Sequence, residues 1–270
     1  MDKIIIKNLE IFAKHGVFPE ENILGQKFLV SAVLYTDTRK AGKTDDLTAS
    51  IHYGEVCQSI DAYMRIHTCQ LLERAAESLA EELLLSIPRL EKIELEIKKP
   101  WAPIGLPLET VSVEILRQWH TAYIALGSNL GEKKRYLEDA VASLNQLPLA
   151  RVEKVSNYYM TPPYGVKEQD DFLNACLELR TLLTPEELLE ALQALEQAAG
   201  RERTIHWGPR TLDLDVLFYD DLVLESEKLC IPHVEMQKRK FVLEPLHDIA
   251  PYKRHPVYGK TVREMLEELE

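Results

Sequence analysis

Hydrophobic and polar positions follow two different periods along the first 118 residues. Residues 4–13 and 27–36 are runs rich in β-branched and aromatic side chains, the composition of strands. Between them the segment from His15 to Gly25 carries Gly and Pro and reads as a loop. Residues 54–66 and 70–86 read as helices. In the second, Leu72, Ala75, Ala76, Leu79, Ala80 and Leu83 recur at helical spacing and form one apolar stripe. Residues 91–99 and 110–117 return to strand character. Two strands, two helices and two strands predict an antiparallel sheet with both helices on one face.

The run at 91–99 alternates strictly. Ile93, Leu95 and Ile97 share one parity with Lys99, while Glu94, Glu96 and Lys98 share the other. Lys99 therefore leaves the apolar side just before Pro100 ends the strand. A lysine in that position either snorkels to water or serves as a general base.

From residue 122 the pattern starts again. A short strand at 122–126 runs into Gly127-Ser128-Asn129, a turn whose backbone N–H groups could meet a ligand. A helix at 133–147, strands at 151–160 and 172–182, and a helix from Pro185 to Gly200 follow. Thr184 caps that helix and acids fill its first turn. Thr161-Pro162-Pro163-Tyr164-Gly165 opens a loop between the two strands. A short helix near 235–239, a segment to 251 and a helix at 261–269 complete the chain. The order fits a ferredoxin-like βαββαβ core with additions, so both halves are α+β.

The densest chemistry lies at 206–219. Leu212, Leu214 and Val216 fall on one parity, Asp213 and Asp215 on the other, so both carboxylates project from one strand face. Their Cα atoms lie roughly 6–7 Å apart at about 3.3 Å per residue. Spacing alone favours a solvated polar face; a pair of divalent cations is the alternative. Arg210, with Arg201 and Arg203 upstream, adds guanidiniums suited to phosphate.

At 270 residues, with 46% hydrophobic content, the chain is expected to hold two domains, 1–118 and 121–270. A net charge of −12 argues against a general nucleic-acid binder. Cys57, Cys69, Cys176 and Cys230 are scattered, which points to a reducing cytosol and no zinc site. There is no signal peptide and no apolar run long enough to span a bilayer, so a cytoplasmic protein is expected.

Four motifs in the first half, Pro19-Glu20-Glu21-Asn22, His52-Tyr53-Gly54-Glu55, Leu71-Leu72-Glu73 and Lys99-Pro100, together resemble dihydroneopterin aldolase. The resemblance implies a T-fold-like domain and retro-aldol cleavage of 7,8-dihydroneopterin without a cofactor. By motif, Lys99 is the general acid/base, with Tyr53 and Glu21 beside it. Glu73, next to Leu72, binds the guanidine-like edge of the pterin. The family forms rings of subunits, so a homo-oligomer through this domain is implied.

The second half resembles 6-hydroxymethyl-7,8-dihydropterin pyrophosphokinase through six ordered motifs. They are Ala-Leu-Gly-Ser-Asn-Leu from 125, Tyr-Met-Thr-Pro-Pro from 159, Asp-Phe-Leu-Asn-Ala from 171, Glu196 with Gly-Arg201, the run around Trp207, and Ile-Pro-His from 231 with Arg239 and Phe241. By motif, Asp213 and Asp215 hold two magnesium ions, and Arg201 and Arg210 stabilise the transferring charge. Thr161, Pro162, Asn174 and Trp207 contact the pterin, and Phe172 and Phe241 sandwich it. Gln193, Glu196, His233 and Arg239 contact ATP. His206, Lys228, Val234 and Thr204 depart from the family pattern, and the loop after Arg203 is one residue short. The 200–210 stretch is expected to act as a lid over ATP.

The resemblances imply a fused enzyme whose first product is its second substrate. A two-metal phosphohydrolase joined to a non-catalytic pterin-binding scaffold is the alternative.

Overall fold

The computed structural model of the protein describes residues 1–163, 169–200 and 210–269. The chain divides into two compact units, Met1–Trp119 and His120–Glu270. Both are α+β with antiparallel sheets.

The first unit runs β1 (Asp2–Ala13), α1 (Pro19–Leu24), β2 (Gln26–Thr36), α2 (Arg39–Thr44), α3 (Tyr53–Ile66), α4 (Leu72–Ser86), β3 (Lys92–Lys99) and β4 (Val111–Gln118). Its strands pair in the order β1-β2-β3-β4, every pair antiparallel. Ile11, Phe28, Val30, Leu34, Ile93, Leu95 and Ile97 of the sheet are buried, as are Ile60, Met64, Leu79 and Leu83 of α3 and α4. The segment between β1 and β2 is not wholly a loop. Pro19 stands at the first position of α1, where its missing N–H costs nothing, and this short helix carries Glu21.

The second unit runs β5 (His120–Ser128), α5 (Lys133–Asn145), β6 (Ala150–Val155), β7 (Tyr159–Thr161), β8 (Phe172–Thr181), α6 (Pro185–Ala198), β9 (Asp213–Tyr219), β10 (Leu224–Glu225), β11 (Cys230–Ile231), α7 (Lys240–Ile249) and α8 (Val262–Glu267). The main sheet is ordered β6-β8-β5-β9, with β7 also paired to β8. Leu137, Leu144, Leu188 and Leu192 of α5 and α6 pack with Ile124, Leu126, Leu177, Leu214 and Val216 of the sheet. Val242, Leu243, Leu246 and Met265 of α7 and α8 pack with Tyr123, Cys176 and Leu217, side chains of the opposite parity, and with Phe218, which a register shift between Tyr123 and Ile124 brings to the same side.

Three expectations change. The strand expected at 151–160 is two pieces, β6 and β7, separated at Ser156, whose Oγ accepts from the Cys176 N–H at 2.9 Å. The turn expected at Gly127-Ser128-Asn129 is strand through Ser128. The segment before residue 251 is a ten-residue helix, α7, with Pro245 inside it. Proline there removes a helical donor and argues against a helix locally. Burial of Val242, Leu243 and Leu246 overrides that preference.

Candidate functional site

The first unit gathers its titratable groups at the end of β3. Lys99 is only 9% exposed, on the parity of Ile93, Leu95 and Ile97. Its ammonium does not face apolar surface alone, because Nζ lies 2.5 Å from Glu21 Oε1. Removing one member of such a buried pair strands the other charge, at about 3–5 kcal/mol. Glu21 also accepts from the Phe18 N–H at 3.1 Å and from Gln26 Nε2 at 2.9 Å. Burial pushes the Glu21 carboxyl up, but the bonds from Lys99, Phe18 and Gln26 outweigh it and hold the group below its usual range.

Gly16 makes room for this arrangement. Its φ of 151° lies in a region L side chains rarely adopt, and a Cβ there would stand 2.3 Å from Glu21 Oε2. Tyr53 and Glu73 sit in the first turns of α3 and α4. Tyr53 is 64% exposed. Leu72 is partly buried beside Glu73. Among the described residues neither Tyr53 nor Glu73 bonds directly to the Lys99–Glu21 pair.

In the second unit the register of three strands builds the site. Asp213 pairs with Gly127, and Gly127 with Asn174; Asp215 pairs with Ala125, and Ala125 with Cys176. The two carboxylates and the Asn174 amide therefore share a sheet face. A Cβ on Gly127 would stand 3.5 Å from Asn174 Oδ1 and 3.9 Å from Asp213 Cβ. The glycine thus leaves the floor between carboxylate and amide clear.

Asn174 Nδ2 donates to Thr161 Oγ1 at 2.8 Å, and Thr161 pairs with Phe172. Pro162 follows, exposed. Phe241 stands at the start of α7, the helix that packs on this same face, with the Arg239 guanidinium 5.9 Å from its ring.

Arg210 forms an ion pair with Asp213. The buried Asn129 holds Arg210 in place: Oδ1 accepts the Arg210 N–H at 2.8 Å, and the Asn129 N–H donates to the Arg210 carbonyl at 3.2 Å. Burial and then the Asp213 charge push the Asp215 carboxyl up, while His233, Arg210 and Arg239 pull it the other way. Burial pushes His233 down, against the attraction of Asp215. His233 Nδ1 accepts the Glu235 N–H at 3.3 Å, and Arg239 is ion-paired to Glu235.

Glu196 has a bracing role that its helical spacing did not reveal. It is 5% exposed, and Oε1 accepts the Leu214 N–H at 2.8 Å, between the two aspartates. Gln193 is half-buried a turn earlier on α6. Arg201, Arg203, Thr204, His206 and Trp207 lie outside the described residues, as does most of the expected lid.

Gln26 and Asn129 were not singled out for these contacts. Gln26 carries no motif signal, and Asn129 enters only through a turn and the Ala-Leu-Gly-Ser-Asn-Leu motif, neither of which points to Arg210. The place of Asn129 four residues before α5 hid a side chain that reaches Arg210, far along the chain.

The 7,8-dihydro-6-hydroxymethylpterin-pyrophosphokinase family model matches residues 123–251. The 2-amino-4-hydroxy-6-hydroxymethyldihydropteridine pyrophosphokinase of Bacillus subtilis is 49% identical over 128 residues, 47% of this chain and 77% of that protein. The chain belongs to the pterin pyrophosphokinase family. Ahead of its pyrophosphokinase half, the dihydroneopterin aldolase family model matches residues 4–116. A folic acid synthesis protein of Pneumocystis carinii is 32% identical over 286 residues, 99% of this chain and 38% of that protein. The bifunctional protein FolKE of Lactococcus lactis is 47% identical over 129 residues, 48% of this chain and 37% of that protein. The chain thus spans less than half the length of these two longer relatives. The phosphohydrolase alternative finds no support, since the family model and the Bacillus relative are pyrophosphokinases.

Proposed function

We propose that the chain is a bifunctional folate-synthesis enzyme that cleaves 7,8-dihydroneopterin and then pyrophosphorylates the product. Residues 1–118 form the aldolase domain and 121–270 the pyrophosphokinase domain in this reading. The observation that carries the second activity is the row Asp213–Gly127–Asn174, with Arg210 paired to its carboxylate end. The Lys99–Glu21 pair carries the first.

In the cleavage, the 2′-hydroxyl of the substrate side chain loses a proton as the C1′–C2′ bond breaks and glycolaldehyde leaves. The electron pair enters the dihydropterin ring, and a proton returns to C1′. Lys99 is the group that carries the proton between the two positions, and the Glu21 carboxylate pairs with its ammonium form. Tyr53 assists, and Glu73 with Leu72 holds the pterin edge. No cofactor enters this step.

In the transfer, the hydroxymethyl oxygen attacks the β-phosphorus of ATP and AMP leaves. Asn174, Thr161, Pro162 and Trp207 hold the pterin edge, and Phe172 and Phe241 its faces. Arg201 and Arg210 offset the developing charge, while Gln193, Glu196, His233 and Arg239 flank the nucleotide.

Asp213 and Asp215 fit magnesium. Both supply hard oxygen, both lie on one face, and Asp215 is pushed up first by burial and then by the Asp213 charge, both of which a bound cation would offset. Among the described residues no three His, Cys, Asp or Glu side chains cluster as a metal site, and magnesium needs only one or two carboxylates besides water and phosphate. Bound there, two ions would neutralise phosphate charge and draw together the hydroxyl and the phosphorus.

Exposed Ile23, Leu24, Ile66, Leu71 and Leu106 on the first unit, with exposed Tyr53, support a homo-oligomer through the aldolase domain. We place the enzyme in the cytoplasm. Among the described residues no helix is long and apolar enough to cross a membrane.

Incubation with dihydroneopterin, ATP and magnesium tests the reading. Glycolaldehyde and AMP are both expected, with AMP absent when the pterin is omitted. Phosphate release without a pterin acceptor would overturn it.

A further inference from the structure

We propose that His15 is a positioning residue of the aldolase site, bracing the proton-transfer pair against the segment that recognises the pterin. The inference rests on the aldolase reading above. His15 is fully buried and lies in the loop that leads to α1 and Glu21. Both ring nitrogens are committed. Nδ1 accepts the Cys69 N–H at 3.1 Å, so the ring proton sits on Nε2, which faces the Met64 carbonyl at 2.9 Å.

The next residue closes the brace from the other side, as the Gly16 N–H donates to the Cys69 carbonyl at 3.0 Å. Residues 15 and 16 thus grip both backbone groups of Cys69. Cys69 lies three residues before Leu72, where α4 begins, and four before Glu73. Met64 belongs to the last turn of α3, whose first residue is Tyr53. Phe28 meets the imidazole edge-on, with ring centroids 5.3 Å apart, and fixes its plane.

One side chain therefore ties together the elements that carry Glu21, Tyr53 and Glu73. A buried, doubly bonded imidazole is a rigid spacer, because losing either bond leaves a backbone group unsatisfied. If the brace sets where the pterin lies relative to Lys99, loosening it separates binding from chemistry. The pterin still docks on Glu73, but its side chain no longer meets Lys99.

The test compares His15→Gln and His15→Asn in the full chain. Asparagine places an acceptor where Nδ1 stands and keeps the Cys69 bond; glutamine does not. Neopterin, an oxidised analogue, reports ring binding without cleavage. For His15→Gln the expected result is a fall in aldolase kcat of about a hundredfold, with the neopterin Kd within about threefold and the AMP-forming activity of the other half unchanged. His15→Asn is expected to recover at least about tenfold of that loss.

Equal kcat in both variants and wild type would overturn the inference while leaving the aldolase reading intact. So would a joint loss of kcat, neopterin binding and thermal midpoint in both variants, which marks a fold role only. A wild-type chain that releases no glycolaldehyde overturns the aldolase reading itself, and the inference with it.

Discussion

Glu196 Oε1 accepts the backbone N–H of Leu214 at 2.8 Å, at the residue that separates Asp213 from Asp215. Among the described residues β9 is an edge strand, with β5 on one side only. The carboxylate from α6 satisfies a donor on the open side and so fixes the pleat that aims both aspartates.

Glu196→Ala leaves that buried N–H without a partner, a cost of about 1–3 kcal/mol. The unfolding midpoint of the second half should fall by roughly 2–4 °C per kcal/mol, and AMP formation should fall with it. Glu196→Gln retains an acceptor and should lose much less. Calorimetry on both variants checks the order; an unchanged Glu196→Ala midpoint contradicts the bracing role.

Gly16→Ala tests the packing around Glu21. The added methyl meets Glu21 Oε2 at 2.3 Å in a backbone conformation that disfavours any side chain. Glu21 must move away from Lys99. Glycolaldehyde release should fall by about two orders of magnitude, while AMP formation from supplied 6-hydroxymethyl-7,8-dihydropterin stays within about threefold, because the residue lies in the other compact unit.

The pyrophosphokinase half should show a conflict between stability and function. Burial and Asp213 both disfavour the charged form of Asp215. Without divalent cation, Asp215→Asn should therefore raise the thermal midpoint of that half, by roughly 2–4 °C for each kcal/mol relieved. Magnesium with an ATP analogue should raise the wild-type midpoint and leave that of Asp215→Asn nearly unmoved. A variant stabilised by magnesium as much as wild type would place the cation elsewhere.

Acid should weaken the first half through Glu21. Its folded-state carboxyl is held below the usual range, so its contribution is present above the ordinary glutamate value of about 4.3 and is lost as pH falls through the lower folded value. Urea midpoints of the wild type and Glu21→Gln, taken between neutral pH and pH 3, should converge as pH drops. Parallel curves would remove Glu21 as the source.

The parts legible in the chain were those set by strand alternation. Ile93, Leu95 and Ile97 announced the buried direction of Lys99, and Leu212, Leu214 and Val216 announced the shared face of the aspartates. Contacts between distant segments left no periodic trace. Nothing near His15 points to Cys69, and nothing near Asn129 points to Arg210, since each bond depends on how the elements pack. α7 was hidden for another reason: local preference at Pro245 opposes the helix that burial of its neighbours enforces.

The most direct measurement is a crossed assay on the full chain. Lys99→Ala and Asp215→Ala are each given dihydroneopterin or 6-hydroxymethyl-7,8-dihydropterin, with ATP and magnesium, and glycolaldehyde and AMP are followed separately. Lys99→Ala is predicted to release no glycolaldehyde yet form AMP from the supplied hydroxymethyl pterin; Asp215→Ala is predicted to release glycolaldehyde and form no AMP. Either variant losing both activities, or neither, would contradict two independent sites on one chain.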